Sequence, residues 1–424
     1  MADHRVDGIE GVRGIAALSV MGGHVLLFML GGAFAGSALL GPLAVVLLNG
    51  VTLFFVLSGY LLYRPFVSAV VDARPSPRVT TFYRNRLLRI FPAYLVVFAA
   101  SAFVLGVAVV QTTDPAAPTR IEERLGYLTD PVLVLLNLTL TQGYVPRGNL
   151  TGINVSWSLV PELAFYAVLP VLYLIGRALS RGRRSPLAMA APAVLLLVVG
   201  AVGRLTARSM LLADGPEHVE GRLDGSTWAG VLTHSFLGVC DLFAIGMLVA
   251  VAAAACQRTS HRRGVALLRL AVGAGVLVAA LSTFALRPLL LDPPAWAATF
   301  AGLLFLVVAP GGGRLRRLAV AVLDSRPLTH LGVISYSVYL WQMPVLLMLL
   351  KHWPDAKFHS AGGLLLAAAM VLVPTLLLSE LSYRFVEKPA LDRKRPMVAV
   401  SGPVVSVPAQ RTTERAPAAE DVRV

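Results

Sequence analysis

Long apolar runs that recur along the chain constrain its fold more than any other feature of the sequence. A run of about 17–25 apolar residues is long enough to cross the hydrocarbon core of a bilayer as a helix. Runs of this kind lie at 12–30, 42–63, 90–110, 158–176, 187–203, 229–255, 266–286, 295–309, 331–350 and 361–382. The sequence therefore predicts an all-α polytopic membrane protein with about ten transmembrane helices.

The composition agrees with a chain that is embedded in a lipid bilayer. Hydrophobic residues make up 56% of the sequence and charged residues only 14%, whereas soluble domains carry about 25% charged residues. The net charge of +14 would suit a nucleic-acid binder, but the positions of the basic residues explain it without one. Cys240 and Cys256 lie on or beside one apolar run, which indicates neither a disulfide framework nor a metal site.

The loops between the runs alternate in charge. Basic residues dominate loops 64–89, 177–184, 256–269 and 310–326, whereas loops 111–157 and 204–228 each hold three basic and four acidic residues. The positive-inside rule then places the basic loops and both termini in the cytoplasm of a bacterial cell, across its plasma membrane. The alternation requires that the short run Pro131–Leu140 does not cross, so we expect a re-entrant or interfacial piece there.

The chain divides into a membrane domain, 1–395, and a tail, 396–424. The tail has no sustained apolar period, and we expect it to be disordered and cytoplasmic. The first run, Gly11–Leu30, is expected to remain as a membrane helix and not to be cleaved as a signal peptide, because His24 interrupts its apolar core.

That first run carries two polar residues, Arg13 and His24, on one helical face. They are 11 positions apart, which is close to three full turns and roughly 16 Å along the axis. An ionisable group near mid-bilayer costs free energy and usually faces a protein interior or a wet cavity. His24 is therefore a candidate proton-exchanging group, and a buried structural histidine bonded to a neighbouring helix is the alternative.

A basic cluster precedes the third run, in the segment 82–94. Arg86 and Arg89 share a face if a helix begins here, Arg84 is close by, and Pro92 suits a first helical turn. Guanidinium groups bind phosphates in a bidentate manner, so the cluster is a candidate phosphate site. The positive-inside rule alone, or contact with lipid headgroups, explains the same charges.

The segment 154–166 opens the fourth run with polar and aromatic residues. Trp157 fits an interfacial aromatic belt. Ser158 followed by Glu162 is typical of a helix N-cap with an early acid, which the helix dipole favours. The functional interpretation is a polar lining of the acceptor site, in which Glu162 orients a base.

A polar stripe marks the ninth run. Ser335, Tyr339 and Gln342 fall at i, i+4 and i+7 of an otherwise apolar helix, so they share one face. Such a stripe either holds membrane helices together or faces a substrate cavity.

Taken together, these segments resemble the bacterial acyltransferase family 3, integral-membrane O-acyltransferases of cell-envelope glycans and some macrolides. The motifs run in order from about residue 8 to 390. They are Arg13 and His24 with ten residues between them, FFVLSGYLL at Phe54–Leu62, RLLRIFPAY at Arg86–Tyr94, WSLVPELAFY at Trp157–Tyr166, LGVISYSVYLWQMP at Leu331–Pro344, and EKP at Glu387–Pro389.

The resemblance implies ten spans with cytoplasmic termini, and transfer of an acyl group from cytosolic acyl-CoA. The acyl group expected is acetyl, and the acceptor is a hydroxyl of a sugar, glycan, glycolipid or macrolide-like product. His24 would be the catalytic base, Arg13 would support it or the donor, and Arg86 and Arg89 would bind coenzyme A phosphates, with no permanently bound cofactor.

Two positions depart from the family pattern. Leu163 stands where the family usually has a second acid, and Gln342 stands where it often has histidine. Mechanisms that need either group fail here. A secondary transporter of a small polar or anionic solute is the alternative function, although the internal repeats that transporters favour are not found in the sequence.

The loop charges generate a topological prediction. Single cysteines introduced into loop 64–89 and the tail should react with a membrane-impermeant reagent only from the cytoplasmic side. Cysteines replacing Asp214 and Asp355 should react only from outside. Labelling of the tail and of loop 204–228 from the same side would contradict ten spans.

Overall fold

The computed structural model describes residues 6–29, 40–112, 120–213, 225–258, 262–286, 292–311, 313–353 and 360–396. Residues 397–424 of the expected disordered tail lie outside these ranges. The α-helices, numbered in chain order, are α1 (Ile9–Met29), α2 (Leu40–Leu48), α3 (Gly50–Val71), α4 (Val79–Ala99), α5 (Pro131–Leu138), α6 (Leu159–Ser180), α7 (Pro186–Ala213), α8 (Trp228–His234), α9 (Phe236–Arg258), α10 (Arg262–Leu286), α11 (Asp292–Val308), α12 (Arg314–Leu323), α13 (Arg326–His352), α14 (Ala361–Ser382) and α15 (Lys388–Leu391).

Helices long and apolar enough to span a membrane dominate the described residues. There are eight of them, at Ile9–Met29, Pro42–Val71, Val79–Val104, Asn154–Ser180, Pro186–Ala213, Trp228–Arg258, Arg326–His352 and Gly362–Leu391. Strand structure within the described ranges is limited to a small antiparallel pair, β1 (Ala108–Val109) with β2 (Leu125–Gly126). The prediction of an all-α polytopic membrane protein is confirmed.

The predicted runs that remain have shorter helical counterparts. The run at 266–286 lies in α10, whose apolar stretch Leu268–Ser282 has fewer than 18 residues, and the run at 295–309 lies in the 17-residue helix α11. These two helices pack against each other. The run at Pro131–Leu140 forms the eight-residue helix α5, which is too short to cross a bilayer.

The helix that carries the arginine cluster begins earlier than its apolar run suggests. The placement of Pro92 in a first helical turn is wrong, because α4 starts at Val79 and Pro92 lies inside it. The polar residues before Pro92 continue the helix toward the membrane surface. Arg84, Arg86 and Arg89 are therefore all on helical backbone, where Arg86 and Arg89 fall on one face.

Side-chain contacts bring the predicted basic loops to one end of the helix bundle, called here the basic end. Arg258 Nη1 donates to the backbone oxygens of Val71 (2.7 Å) and Arg184 (3.1 Å). These bonds join the ends of α3 and α9 to the α6–α7 connection. The backbone nitrogen of Gly8 donates to Asp324 Oδ1 (3.0 Å), which adds the start of α1 and the α12–α13 connection.

Helices α1 and α13 run parallel from the basic end and approach each other closely. A Cβ atom added to Gly332 would lie 1.9 Å from the backbone oxygen of Glu10, and one added to Gly14 would lie 2.9 Å from that of Leu328. The small residues let the two backbones meet, as they do in other membrane helix pairs. Arg13 and His24 of α1 therefore face the polar stripe of α13.

We predict that Gly332→Ala destabilises the protein. The new methyl group would overlap backbone atoms of α1, and overpacking of this kind costs about 1–3 kcal/mol. Gly275→Ala is the matched control, because Gly275 lies on α10 with nothing within 4 Å of an added Cβ. That change should be neutral or slightly stabilising through helix propensity. Equal loss of thermal stability in both variants, measured in one detergent, would contradict the packing described here.

Candidate active site

A cavity opens among α1, α3, α4, α6 and α13, and it encloses about 690 Å³, part of it open to solvent. Apolar side chains such as Phe54, Phe55 and Leu61 form much of its wall. The polar wall consists of Arg13, Ser58, Arg89, Ser158, Glu162, Tyr166, Ser335, Tyr336 and Tyr339. An apolar cavity with a few convergent polar groups is typical of a small-molecule site.

Glu162 is held at this wall by two hydroxyl groups. Its Oε1 accepts hydrogen bonds from Tyr166 (2.6 Å), one turn further along α6, and from Ser58 Oγ (3.1 Å) of α3. Among the described residues no donor bonds to Oε2. Glu162 is therefore oriented by its protein neighbours and keeps one carboxylate oxygen for another partner.

Arg89 is fixed by a buried carboxylate of the C-terminal segment. Its Nη1 lies 3.1 Å from Oε2 of Glu387, whose side chain is 2% exposed. Ser337 donates to the other carboxylate oxygen of Glu387, and the Arg89 guanidinium lies 5.3 Å from the centre of the Tyr336 ring. The sequence offered Glu387 only as part of the EKP motif, with no role, because its partner is 298 positions away.

Arg13 supplies a second guanidinium to the cavity. Its Nη1 lies 2.9 Å from Glu10 Oε2, one turn earlier on α1. Arg13 and Arg89 therefore approach the same space from two helices. Each is paired with a carboxylate outside the cavity lining, and Glu162 supplies a carboxylate to the wall itself.

His24 lies outside the cavity wall, next to the polar stripe of α13. His24 Nδ1 is 3.1 Å from Gln342 Oε1, and Gln342 is three residues beyond Tyr339 on α13. With the amide oxygen as acceptor, Nδ1 carries the proton and the lone pair of Nε2 is free. The amide nitrogen of the same side chain, Gln342 Nε2, is buried without a hydrogen-bond partner in the described part of the chain.

The other stripe residues differ in how they are satisfied. The Tyr339 hydroxyl donates to the backbone oxygen of Val155 (2.8 Å) and lies at hydrogen-bond distance from Ser158 Oγ (2.7 Å). Ser158 occupies the N-cap position of α6, but its side chain makes no capping bond. Ser335 Oγ is buried at the cavity and has no partner among the residues that the structure describes.

Five of the predicted site residues are not part of the cavity wall: His24 and Gln342, described above, and Trp157, Arg84 and Arg86. Trp157 packs edge-on against His234, with 4.8 Å between ring centres, and against Phe55 at 6.1 Å. Arg84 and Arg86 lie earlier on α4, toward the basic end. Arg84 Nη1 and Arg86 Nε are buried without hydrogen-bond partners in the described ranges, so these guanidinium groups retain donors for a ligand. No cluster of three His, Cys, Asp or Glu side chains suited to a metal occurs within those ranges.

Comparison with known proteins identifies the class to which this fold and cavity belong. A family model described as an acyltransferase domain matches residues 6–383. The chain therefore belongs to the acyltransferase family 3, as its motifs predicted, and it is a membrane acyltransferase by family. This membership favours an acyltransferase over a transporter.

The relatives it resembles include three bacterial proteins. The acyltransferase MdmB of Streptomyces mycarofaciens is 31% identical over 181 residues, 41% of this chain and 40% of MdmB. The putative peptidoglycan O-acetyltransferase YrhL of Bacillus subtilis is 25% identical over 402 residues, 91% of this chain and 55% of YrhL. The putative membrane-bound transacylase BcsY of Komagataeibacter xylinus is 27% identical over 359 residues, 81% of this chain and 76% of BcsY.

The alignments thus span about half or less of the length of MdmB and YrhL. No solved structure matches the chain.

We predict that Glu387→Gln destabilises the protein strongly. The change leaves the Arg89 guanidinium beside a neutral group, and breaking a buried pair from one side costs about 3–5 kcal/mol. Glu380→Gln is the control, because Glu380 pairs with the exposed side chains of His330 and Arg384 and exposed pairs contribute about 0–1 kcal/mol. Thermal unfolding in detergent measures both. A loss from Glu387→Gln no larger than that from Glu380→Gln would contradict a buried ion pair.

Proposed function

We propose that this protein is an acyl-CoA-dependent O-acyltransferase of the bacterial plasma membrane. It moves an acyl group, with acetyl the expected one, to a hydroxyl of a sugar, glycan or glycosylated natural product. The observation that carries the proposal is the cavity among α1, α3, α4, α6 and α13, whose polar wall holds two arginines, an oriented glutamate and several hydroxyls beside the His24–Gln342 pair. The names of MdmB, YrhL and BcsY, an acyltransferase, a putative O-acetyltransferase and a putative transacylase, agree with it.

The donor would enter from the basic end. The positive-inside rule places this end in the cytoplasm, where acyl-CoA is found. Arg84 and Arg86 have buried guanidinium nitrogens without partners, and Arg89 links this part of α4 to the cavity. Phosphates held by these arginines would direct the thioester arm along the cavity, past Arg89 and Arg13, toward His24.

His24 would act as general base in direct attack on the thioester. An alcohol is a poor nucleophile at neutral pH, so a base must take its proton as the new bond forms. Gln342 Oε1 accepts from Nδ1–H and leaves the Nε2 lone pair for the hydroxyl proton. The acceptor oxygen bonds to the thioester carbon, the carbon–sulfur bond breaks, and the imidazolium returns its proton to the leaving thiolate. The products are an ester and free coenzyme A.

The polar groups on the remaining wall suit the acceptor. Ser335 Oγ and Glu162 Oε2 have no protein donor or acceptor among the described residues, and sugar hydroxyls both donate and accept hydrogen bonds. Ser158 and Tyr339 lie between these two groups and His24. Trp157 contributes through its packing on Phe55, which itself lines the cavity.

A transfer assay with labelled acetyl-CoA tests the proposal. Purified protein in nanodiscs with a hydroxyl acceptor should release coenzyme A, and His24→Ala should lower the rate about 10²–10⁴-fold, as loss of a general base typically does. His330→Ala is the matched control, because His330 lies on the exposed side of α13 and pairs with Glu380. Gln342→Leu should lower kcat more than it raises KM, because it removes the acceptor that sets the His24 tautomer.

The same preparation separates direct attack from an acyl-histidine intermediate. Mass spectrometry of protein incubated with acetyl-CoA and no acceptor should show unmodified His24. Acetylated His24 under those conditions would replace direct attack by a two-step transfer through the imidazole. Near-normal activity of His24→Ala would contradict both mechanisms.

A further inference from the structure

The segment that follows the last membrane helix is fastened along α4. Asn85, which is 4% exposed, donates from Nδ2 to the backbone oxygen of Arg395 (2.7 Å) and accepts from the Arg395 backbone nitrogen (3.1 Å). One turn along the same face of α4, Arg89 pairs with Glu387. Two contacts at i and i+4 of one helix therefore hold residues 387–395 against the arginine cluster.

Lys394 lies between these two attachments. Its backbone nitrogen donates to the oxygen of Leu391 (3.0 Å), and the next residue is held by Asn85, so its backbone is fixed on both sides. The position is close to α4 at Asn85, and Arg84 and Arg86 project from α4 about 100° to either side of Asn85. The fold thus adds Lys394 as a fourth cation to the cluster of Arg84, Arg86 and Arg89, although it is more than 300 positions away in the sequence.

The charged groups around Lys394 are mostly positive. The charged groups that act on Lys394 are Arg86 and Arg89 of α4, Arg13 of α1 and, with opposite sign, Glu387. Burial and then the positive charge of Arg89, Arg86 and Arg13 lower the pKa of Lys394 to about 7. Glu387 already accepts from Arg89 and Ser337, while Arg84 Nη1 and Arg86 Nε have no partners in the described ranges. An anion at this point would relieve the repulsion.

We propose that Lys394, positioned by Asn85, is a ligand of the donor phosphates and completes the acyl-CoA site together with Arg84 and Arg86. The inference rests on the proposed acyl-CoA donor and adds the C-terminal segment to its site. Lysine binds phosphate as a compact charge, and arginine does so through its planar fork. The segment 387–395 then serves both to buttress Arg89 through Glu387 and to supply a phosphate ligand.

A pH signature follows from the free and bound states of Lys394. In the free protein its pKa is about 7, and a bound phosphate raises that pKa. Binding above pH 7 therefore takes up a proton at Lys394, so affinity falls as pH rises, by up to about tenfold per pH unit for one proton. The 3′-phosphate of coenzyme A, a monoester with a second pKa near 6, and the strongly acidic diphosphate are already ionised in this range. Arginine at position 394 would stay charged and remove the slope.

Calorimetric titration of coenzyme A into the full chain tests the inference, with protein in phosphatidylcholine nanodiscs at pH 7 to 9. Lys394→Ala and Arg86→Ala should each weaken binding about tenfold or more at pH 7. Lys394→Arg should keep the affinity and lose the pH slope. Arg393→Ala is the matched control, because Arg393 is an exposed cation next to Lys394 and should change binding less than twofold. Asn85→Ala should behave like Lys394→Ala, since it releases the segment.

The outcomes separate this inference from the proposed donor. Wild-type affinity and an unchanged pH slope in Lys394→Ala, with weakened binding in Arg86→Ala, would overturn the role of Lys394 and leave the acyl-CoA donor standing. Absence of coenzyme A binding by the wild-type protein would overturn the donor itself. Equal weakening in Arg393→Ala and Lys394→Ala would show a general electrostatic effect of the basic end and would also overturn the specific contact.

Discussion

The close approach of α1 and α13 is the contact on which the candidate active site depends. Gly332 and Gly14 remove the side chains that would keep the two backbones apart. Two parallel helices in such contact place residues at matching heights side by side, so Arg13 lies near the start of the polar stripe and His24 meets Gln342. In a membrane, where apolar surfaces gain little by leaving lipid, close packing and interhelical hydrogen bonds hold helices together. The glycine contact thus determines which residues of α1 and α13 lie side by side at the candidate active site.

Buried charge explains how the remaining elements are arranged. A charged group inside a membrane protein is retained only with a partner or a wet cavity. Arg89 is paired with Glu387, and Arg204 of α7 lies 2.8 Å from Asp241 of α9. The Arg89 pair borders the cavity and the Arg204 pair joins two scaffold helices. The C-terminal segment is therefore part of the site, because it supplies the carboxylate without which Arg89 would be an unpaired buried cation.

The sequence revealed the parts of the site that follow local periodicity. The apolar runs predicted the helices, and the shared faces of Arg13 with His24 and of Ser335, Tyr339 and Gln342 follow from helix geometry alone. It could not reveal which faces meet, because the pairs Arg89–Glu387 and Asn85–Arg395 join positions about 300 residues apart. The position of Pro92 does not reveal where α4 begins, because proline occurs both in the first turn of a helix and inside membrane helices. Trp157 belongs to the segment whose functional interpretation is a lining of the acceptor site, and its ring packs against His234 and Phe55.

The proposed function requires one continuous path from the arginine cluster of the basic end to His24. An electron cryomicroscopy structure of the protein in nanodiscs with a non-transferable thioether analogue of acetyl-CoA tests this claim most directly. We predict phosphate density at Arg84, Arg86 and Lys394, a pantetheine arm passing Arg89 in the cavity, and the acetyl end beside His24 Nε2. Analogue density elsewhere on the molecule, or an acetyl end remote from His24, would contradict it.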